Sequence, residues 1–344
     1  MKAMILAAGF GTRLFPLTID RTKPAIPFLG KPLVGYVAEY VAKFGFKDIV
    51  VNLHHQPESV KKALGDGSKF GVKIQYTIEE PKILGTAGAL DNARHLLDDD
   101  TFLIINGKII TDIDIAAALE THKQSGALAT MVLKENAALE KFTIVETEND
   151  QVMGFGDFPS VSDQRSVTRH VGQNEIQNPK FKIQNPLMFT GIHILEPRVF
   201  EFIPRGVYSD IVPTFYRPAI AKGERIAAHV TEGNWFELST IQRYLDISLA
   251  MLNGRKEKIV RGENCRISNS AKISNTVIWD NVNIADGAQI NKSIIADGVN
   301  INEGEKFENV AIVRAEMLGH GGEIPEKALK GFFKGENYIV PLGQ

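Results

Sequence analysis

Isoleucine recurs at steps of about six residues after Gly254, and this repeat restricts the fold more than any other feature of the sequence. The intervening residues are mostly Asn, Asp, Ser and Gly, and Ala-Asp-Gly occurs twice, at Ala285–Gly287 and Ala296–Gly298. An apolar residue at every sixth position suits a triangular β-coil, in which each turn buries its inward side chains only against neighbouring turns. The repeat therefore predicts a left-handed β-helix over residues 255–313, with a C-terminal tail over 314–344 and an ordinary β-meander as the alternative. The repeated positions are Ile267, Ile273, Ile278, Ile284, Ile290, Ile295 and Ile301.

The preceding residues, 1–254, alternate short β-rich apolar runs with segments of helical periodicity. This alternation predicts a Rossmann-like α/β domain, with a mostly parallel sheet covered by helices on both faces. A polar segment at 157–186 interrupts the pattern and is predicted to be a long insertion that could cover a pocket. Strands are predicted at 2–7, 48–53, 73–79, 101–106, 127–133, 189–195 and 225–231, and helices at 33–44, 57–64, 86–97 and 240–252.

Composition excludes several classes of partner. The chain has 39 basic and 41 acidic residues, a net charge of −2, which gives no electrostatic footprint for nucleic acid or an anionic membrane. Its single cysteine, Cys265, excludes an internal disulfide, and its first apolar stretch is too short for a signal peptide or a membrane span. We therefore expect a cytoplasmic protein whose partners are small molecules.

The glycine-rich stretch LAAGFGTRL, from Leu6 to Leu14, follows the first predicted strand. Its small residues allow backbone N–H groups to approach a phosphate or a base closely, and Arg13 adds a bidentate fork for phosphate oxygens. A simple tight turn is the alternative interpretation of the spacing alone. A dinucleotide-binding fingerprint would require glycine at Leu14, and a P-loop would require Gly-Lys followed by Ser or Thr; both are absent.

The stretch RTKPAIPFLGKPL, Arg21 to Leu33, places Lys23 and Lys31 in proline-stiffened backbone within reach of that loop. Together the two stretches resemble the N-terminal signature of sugar-1-phosphate nucleotidyltransferases, also called nucleoside-diphosphate-sugar (NDP-sugar) pyrophosphorylases. VNLHH at Val51–His55 and LGTAGAL at Leu84–Leu90 resemble the mannose-1-phosphate guanylyltransferase branch, whose β-helical tail is also similar.

The resemblance implies that a sugar 1-phosphate attacks the α-phosphorus of a nucleoside triphosphate, which yields an NDP-sugar, GDP-mannose in this branch, and pyrophosphate. It implies Arg13 and Lys23 as catalytic residues, with Arg13 on the departing pyrophosphate. It also implies sugar contacts from Thr190, Gly191 and Glu237. The nucleotide-binding residues implied are Leu6, Ala8, Gly9, Gly11, Thr12, Arg13, Gly85, Ala87 and Asn106.

Two positions depart from the family pattern. The family carries a Mg²⁺-binding aspartate directly after Asn-Gly, where this chain has Lys108, and Glu237 stands in place of a second aspartate. Glutamate still binds metal through oxygen, but protonated lysine does not. Three hypotheses follow: the ammonium of Lys108 replaces the metal, the chain is an inactive regulatory paralogue that binds NDP-sugar, or the sequence was deliberately altered.

Several other polar residues are weaker candidates. Asp112 and Asp114 are predicted to begin a helix, with a role as substitute metal-binding carboxylates as the alternative. His54 and His55 are predicted to be pocket or packing groups, because neighbouring residues of an extended strand point in opposite directions. The pair Glu79-Glu80 could meet sugar hydroxyls or form a solvated strand end, and Lys180 and Lys182 could grip the sugar phosphate.

The β-helix raises a separate functional possibility. Hexapeptide acyltransferases use a longer coil and a catalytic histidine, but residues 255–313 contain no histidine and His320 follows the predicted coil. Acyl transfer is therefore the least favoured of three functions, after nucleotidyl transfer and NDP-sugar sensing. An exposed coil end and the resemblance both favour a homo-oligomer.

Overall fold

The computed structural model describes residues 1–138, 140, 142–156, 186–252, 258–319 and 324–343. The chain divides into two compact units: unit 1 comprises residues 1–4, 84–105 and 112–234, and unit 2 comprises residues 5–83, 106–111 and 235–344. Residues 157–185 of the predicted insertion at 157–186, which include Lys180 and Lys182, lie outside the described residues, as do the predicted domain boundary at Gly254 and His320. Among the described residues, no helix has the length and apolar character needed to cross a membrane.

The α/β part of unit 2 follows the sequence prediction closely. Strand β4 pairs in parallel with β5 from Asp48↔Lys73 to Leu53↔Ile78. Pro57 occupies the first turn of helix α2, where its missing N–H costs nothing. The elements are β1 (Lys2–Leu6, shared with unit 1), β2 (Pro27–Phe28), β3 (Lys31–Pro32), α1 (Leu33–Lys43), β4 (Asp48–Leu53), α2 (Pro57–Leu64), β5 (Lys73–Ile78), β7 (Ile109–Thr111), β13 (Trp235–Glu237) and α7 (Ile241–Ala250).

A three-sided coil of short parallel strands forms the rest of unit 2. Each strand pairs with the strand one turn further on, as in Asn283↔Asn300 and Ile290↔Phe307. The predicted isoleucines fill the interior, so the six-residue period is confirmed as the spacing of inward positions. The three sheets are β14 (Ile259–Arg261), β17 (Thr276–Ile278), β20 (Ile294–Ile295) and β23 (Val310–Arg314); β15 (Arg266–Ile267), β18 (Asn283–Ile284) and β21 (Asn300–Ile301); and β16 (Lys272–Ser274), β19 (Gln289–Asn291) and β22 (Lys306–Glu308).

The C-terminal tail continues one side of this coil. Strands β24 (Phe332–Lys334) and β25 (Asn337–Pro341) form a hairpin, and β25 pairs antiparallel with β23. Tyr338 and Val340 are buried in a cluster shared with Leu14, Tyr244 and other residues of the α/β part of unit 2. The hairpin thus gives the last turn of the coil a paired edge.

Unit 1 contains a mixed sheet with the strand order β6-β11-β8-β12-β10-β9. Strands β8 and β12 are parallel, whereas β11 runs antiparallel to β6 and β8. The elements are α3 (Gly85–Asn92), α4 (Arg94–Leu97), β6 (Phe102–Asn106, whose last residue belongs to unit 2), α5 (Ile115–Ser125), β8 (Ala129–Glu135), β9 (Ile144–Glu148), β10 (Gln151–Gly156), β11 (Leu187–Leu195), α6 (Arg217–Ala221) and β12 (Ile226–Val230).

The predicted α/β class with parallel strands is confirmed, and within unit 1 strand β11 and the hairpin β9–β10 add antiparallel pairs. The hairpin β9–β10 was not predicted; its turn residues Asn149 and Asp150 both have positive φ, 47° and 60°. Two consecutive residues with positive φ give the turn a backbone twist that matches the right-handed twist of the two strands of the hairpin. The helix predicted at 86–97 is two helices, α3 and α4, separated at Ala93.

Candidate functional site

The glycine-rich stretch leaves strand β1 and forms one loop in unit 2. Gly11 adopts a left-handed conformation (φ 69°) and precedes a single 3-10 turn over Thr12–Leu14. A β-carbon at Gly11 would lie 3.1 Å from Cβ of Lys23, so both conformation and space require glycine there. Lys23 and the loop are therefore in contact, as the sequence predicts. The loop contains the predicted residues Leu6, Ala8, Gly9, Gly11, Thr12 and Arg13, of which Gly9 and Arg13 are exposed.

Asn52 and Glu79 form a buried amide–carboxylate pair that is hydrogen-bonded to the backbone of this loop at Ala7. The backbone N–H of Ala7 donates to Oδ1 of Asn52 (2.9 Å), and Nδ2 of Asn52 donates to Oε1 of Glu79 (2.5 Å). Glu79 is 1% exposed, so neither of the alternatives raised for it, a sugar ligand or a solvated strand end, describes its position. His54 and His55 pack against the ring of Phe10, in agreement with their predicted packing role.

Lys23 is the most perturbed cation of the site. It opens a short 3-10 turn, Lys23–Ala25, and is only 8% exposed. Burial lowers the pKa of its ammonium from 10.5 to about 7, and the positive charges of Lys108 and Arg13 act in the same direction. Lys23 is therefore a buried cation that a bound anion would stabilise, because an opposite charge favours the protonated form.

Lys108, directly before strand β7, forms an ion pair with Glu237 at the end of strand β13. Strand β7 pairs antiparallel with β13, which sets Ile109 opposite Glu237. The ammonium of Lys108 donates to Oε1 of Glu237, whose side chain is 8% exposed. Burial alone would raise the pKa of Glu237, but the charge of Lys108, followed by those of Lys23 and Arg13, lowers it. One carboxylate thus faces three cations.

Asn106 and Gly107 connect this pair to the glycine-rich loop. The N–H of Gly107 donates to the carbonyl of Leu6 at the end of β1 (2.9 Å). A β-carbon at Gly107 would come within 2.9 Å of the same carbonyl oxygen, so glycine permits the close approach. Asn106, Lys108 and the loop consequently lie at one end of β1, in unit 2.

The donor atoms at the expected metal positions do not fit Mg²⁺. Lys108 and Glu237, the residues at the two positions where the sequence resemblance leads us to expect metal ligands, are paired with each other, and a protonated amine has no lone pair for a metal. Within the described ranges, no group of three or more His, Cys, Asp or Glu residues could hold a metal ion. Asp112 accepts from the backbone and side-chain amides of Asn234, and Asp114 caps helix α5, as its sequence position predicts.

The remaining predicted site residues belong to unit 1. Gly85 begins helix α3 with φ 74°, and the N–H of Ala87 donates to the carbonyl of Ser209 (2.9 Å). Thr190 is fully buried and its hydroxyl donates to the carbonyl of Val132 (2.7 Å). Gly191 has φ 78° where the register of β11 against β8 shifts. Their contacts to nucleoside and sugar stay predictions.

Sequence reasoning missed the Asn52–Glu79 pair. Asn52 is the polar residue within the otherwise apolar, buried run Ile49–Leu53, and a polar side chain in such a strand requires a hydrogen-bonding partner. This polar position in an apolar strand was the signal from which the sequence could have predicted a buried hydrogen bond of Asn52. The partner itself lies on the neighbouring strand segment, 27 residues away.

Two family descriptions match the chain: nucleotidyl transferase over residues 2–254, and the GlmU-like C-terminal hexapeptide region over residues 249–318. The second match confirms that the coil is a left-handed β-helix. A solved structure of a putative glucose-1-phosphate thymidylyltransferase from Bacillus anthracis has a similar fold, with a TM-score of 0.58, 22% identity, and coverage of 74% of this chain and 96% of that one.

Curated relatives use different bases and sugars. The chain is 34% identical to N-acetylmuramate alpha-1-phosphate uridylyltransferase of Neisseria meningitidis, covering 71% of this chain and 95% of the relative. It is 31% identical to UTP–glucose-1-phosphate uridylyltransferase of Synechocystis, covering 71% and 61%. It is also 31% identical to the mannose-1-phosphate guanylyltransferase catalytic subunit beta of Dictyostelium discoideum, covering 75% and 66%. The chain thus spans less than two thirds of the length of the last two.

Proposed function

Because the chain belongs to the nucleotidyl transferase family of sugar-1-phosphate nucleotidyltransferases, we propose that it joins a nucleoside triphosphate to a sugar 1-phosphate, with GTP and mannose 1-phosphate as the pair. The observation that supports turnover is that the buried Lys23 lies in contact with Gly11 of the glycine-rich loop. Support for GTP and mannose comes from the Val51–His55 and Leu84–Leu90 stretches and from the guanylyltransferase relative.

The reaction needs no covalent group from the protein. A phosphate oxygen of the sugar 1-phosphate forms a bond to the α-phosphorus, the bond from that phosphorus to the bridging oxygen breaks, and pyrophosphate leaves with the electron pair. Negative charge grows on the leaving group, so fixed cations and N–H groups lower the barrier. Arg13 and Lys23 supply these charges, and the loop amides hold the triphosphate.

In this proposal Lys108 acts as a tethered cation. Two carboxylates and one Mg²⁺ sum to zero charge, and one lysine with one glutamate sum to zero as well. Glu237 therefore holds the ammonium of Lys108 in place. With Lys23 protonated, the side chains of Arg13, Lys23, Lys108 and Glu237 present a net charge of +2 to a triphosphate. A site of this charge favours a polyanionic substrate without a metal bound between the two side chains.

The same ion pair favours a second candidate function. A lysine bonded to the carboxylate that would otherwise bind metal also suits a protein that senses an NDP-sugar without making it. Such a regulator would keep the glycine-rich loop, whose amides contact the nucleotide in either case. Binding and turnover measured on the same preparation separate the two functions.

We expect pyrophosphate release from the full chain, greatest with GTP and mannose 1-phosphate in a matrix of four nucleoside triphosphates and several sugar 1-phosphates. Each pair is assayed with a coupled pyrophosphate assay and by chromatography of the NDP-sugar. A thermal-shift series with the same nucleotides and NDP-sugars measures binding, because a ligand of the folded state raises its stability. Binding without product from any pair would refute turnover and favour the regulator, and greater release with UTP or dTTP would refute the GTP assignment.

A further inference from the structure

The chain segment from Arg21 to Pro27, which carries Lys23, is fixed at both ends by residues of the β-helix and of helix α7. Resting on the proposed function, we infer that the β-helix is part of the machinery that positions Lys23, with Asp297 and Trp279 as positioning residues acting through Arg21 and Tyr244. The β-helix then contributes to transfer directly, in addition to any role in assembly.

Arg21, two residues before Lys23, is the first anchor. Its guanidinium donates to Asp20 through Nε (2.8 Å) and Nη2 (2.9 Å), and Nη2 also donates to Oδ2 of Asp297 (2.5 Å). The other carboxylate oxygen of Asp297 accepts from the N–H of Asp280 (3.0 Å), so the coil itself orients the aspartate. Only 20% of the Arg21 side chain is exposed, which makes the pair stronger than a solvated surface ion pair.

Trp279 anchors both ends of the segment. The Arg21 guanidinium lies over the Trp279 ring, 5.3 Å from its centre, in a cation–π arrangement. The indole Nε1 donates to the hydroxyl of Tyr244 (2.9 Å), which in turn donates to the carbonyl of Pro27 (2.6 Å). Trp279 and Tyr244 are both buried, so neither bond can be exchanged readily for one to water.

Lys23 lies between Arg21 and Pro27, the two residues at which the segment is anchored, and its Cβ lies next to Gly11. Loss of the anchor at Arg21 allows the short 3-10 turn at Lys23–Ala25 to shift relative to the loop. Misplacement of a positioned group by about 1 Å can cost about 10²-fold in rate. The anchor therefore matters for turnover even though Asp297 touches no reacting atom.

The two Ala-Asp-Gly turns provide a matched pair of variants. Asp297 occupies one turn and accepts from Arg21, whereas Asp286 occupies the other and, among the described residues, its side chain accepts from Ser268 and Ser270. Asp297→Asn and Asp286→Asn make the same isosteric change at two Ala-Asp-Gly turns of one coil. We expect Asp297→Asn to lower kcat about 10- to 100-fold with a small change in KM for the nucleotide, and Asp286→Asn to leave both constants unchanged.

A second readout does not depend on turnover. The rate at which Lys23 is acetylated, followed by mass spectrometry across pH, reports the titration of its amine among Arg13, Lys108 and Glu237. We expect the midpoint to lie near 7 in the parent and in Asp286→Asn, and to move towards 10.5 in Asp297→Asn as the turn loosens. Trp279→Phe keeps an aromatic ring but removes the indole N–H that donates to Tyr244, and it should shift the midpoint in the same direction. If Asp297→Asn does not fold, Trp279→Phe is the variant that is compared with the parent.

Equal kcat and equal midpoints in Asp297→Asn and Asp286→Asn would overturn the positioning role. An equal fall in kcat in both variants would also overturn it, because that result reports general weakening of the coil. If the parent releases no pyrophosphate with any substrate pair, the proposed function fails, while the acetylation comparison still decides whether Asp297 positions Lys23.

Discussion

Lys23→Met is expected to lower kcat about 10²- to 10³-fold, because it removes a buried cation from beside the glycine-rich loop while keeping the length of the side chain. Lys43→Met, at an exposed lysine near the end of α1, is the matched control and should have the activity of the parent. Steady-state pyrophosphate release measures both. The basic limb of kcat/KM in the parent should have its midpoint near 7, the pKa of Lys23 in the free protein.

The same substitution is expected to stabilise the protein in a pH-dependent way. Folding lowers the pKa of Lys23 from 10.5 to about 7, so between these values the unfolded chain binds the extra proton and the stability of the parent rises with pH. Below pH 7 Lys23 is charged in the folded parent as well, and burial of this charge lowers the free energy of unfolding by its full amount. Lys23→Met should therefore have a higher Tm than the parent at pH 6, and the difference should shrink as the pH approaches 10.

Thermal unfolding across this pH range tests the burial of Lys23 separately from its catalytic role. A variant that is inactive but gains no stability at pH 6 would show that the ammonium is not buried as described. A variant that is stabilised but fully active would remove Lys23 from the mechanism.

Replacing Lys108 by methionine should be almost as damaging to turnover, with an expected loss in kcat of about 10²-fold, because the tethered cation is removed. Glu237 then loses the partner that lowers its pKa, which should also reduce stability by about 1–3 kcal/mol. Lys108→Arg keeps the charge and is expected to retain much of the activity. A Lys108→Met variant with parental kcat would contradict the role given to this residue.

Lys108→Asp makes a different test, because it places two carboxylates together. Their repulsion should raise the pKa of Glu237 and weaken the fold, and a divalent cation should reverse both effects. Mg²⁺ at about 100 times its Kd should stabilise this variant by about 2.7 kcal/mol, while the Tm of the ligand-free parent stays unchanged. A parent that Mg²⁺ stabilises equally would show that the Lys108–Glu237 pair does not exclude the metal.

Local patterns in the sequence predict most of the elements. Strand β4 and helix α2 have the predicted bounds, and the six-residue period identifies the inward isoleucines of the coil. These features depend on side-chain periodicity, which is encoded within each segment. The contact of Lys23 with the glycine-rich loop also follows from sequence, because the resemblance covers both stretches.

The features that were missed depend on residues distant in the chain. One partner of Arg21, Asp297, is 276 residues away, and the hairpin β24–β25 pairs with strand β23, which a local pattern does not reveal. The ion pair between Lys108 and Glu237 joins residues 129 positions apart, so the sequence indicates the two substitutions but not their pairing. Long-range pairs of this kind require the fold.

Pyrophosphate release by the unaltered chain in excess EDTA, compared with release in Mg²⁺, tests most directly whether Lys108 replaces the metal. If the tethered cation performs this role, kcat without divalent cation stays within about tenfold of its value with Mg²⁺, a difference of about 1.4 kcal/mol in the barrier. Turnover that EDTA abolishes and Mg²⁺ restores would contradict the account.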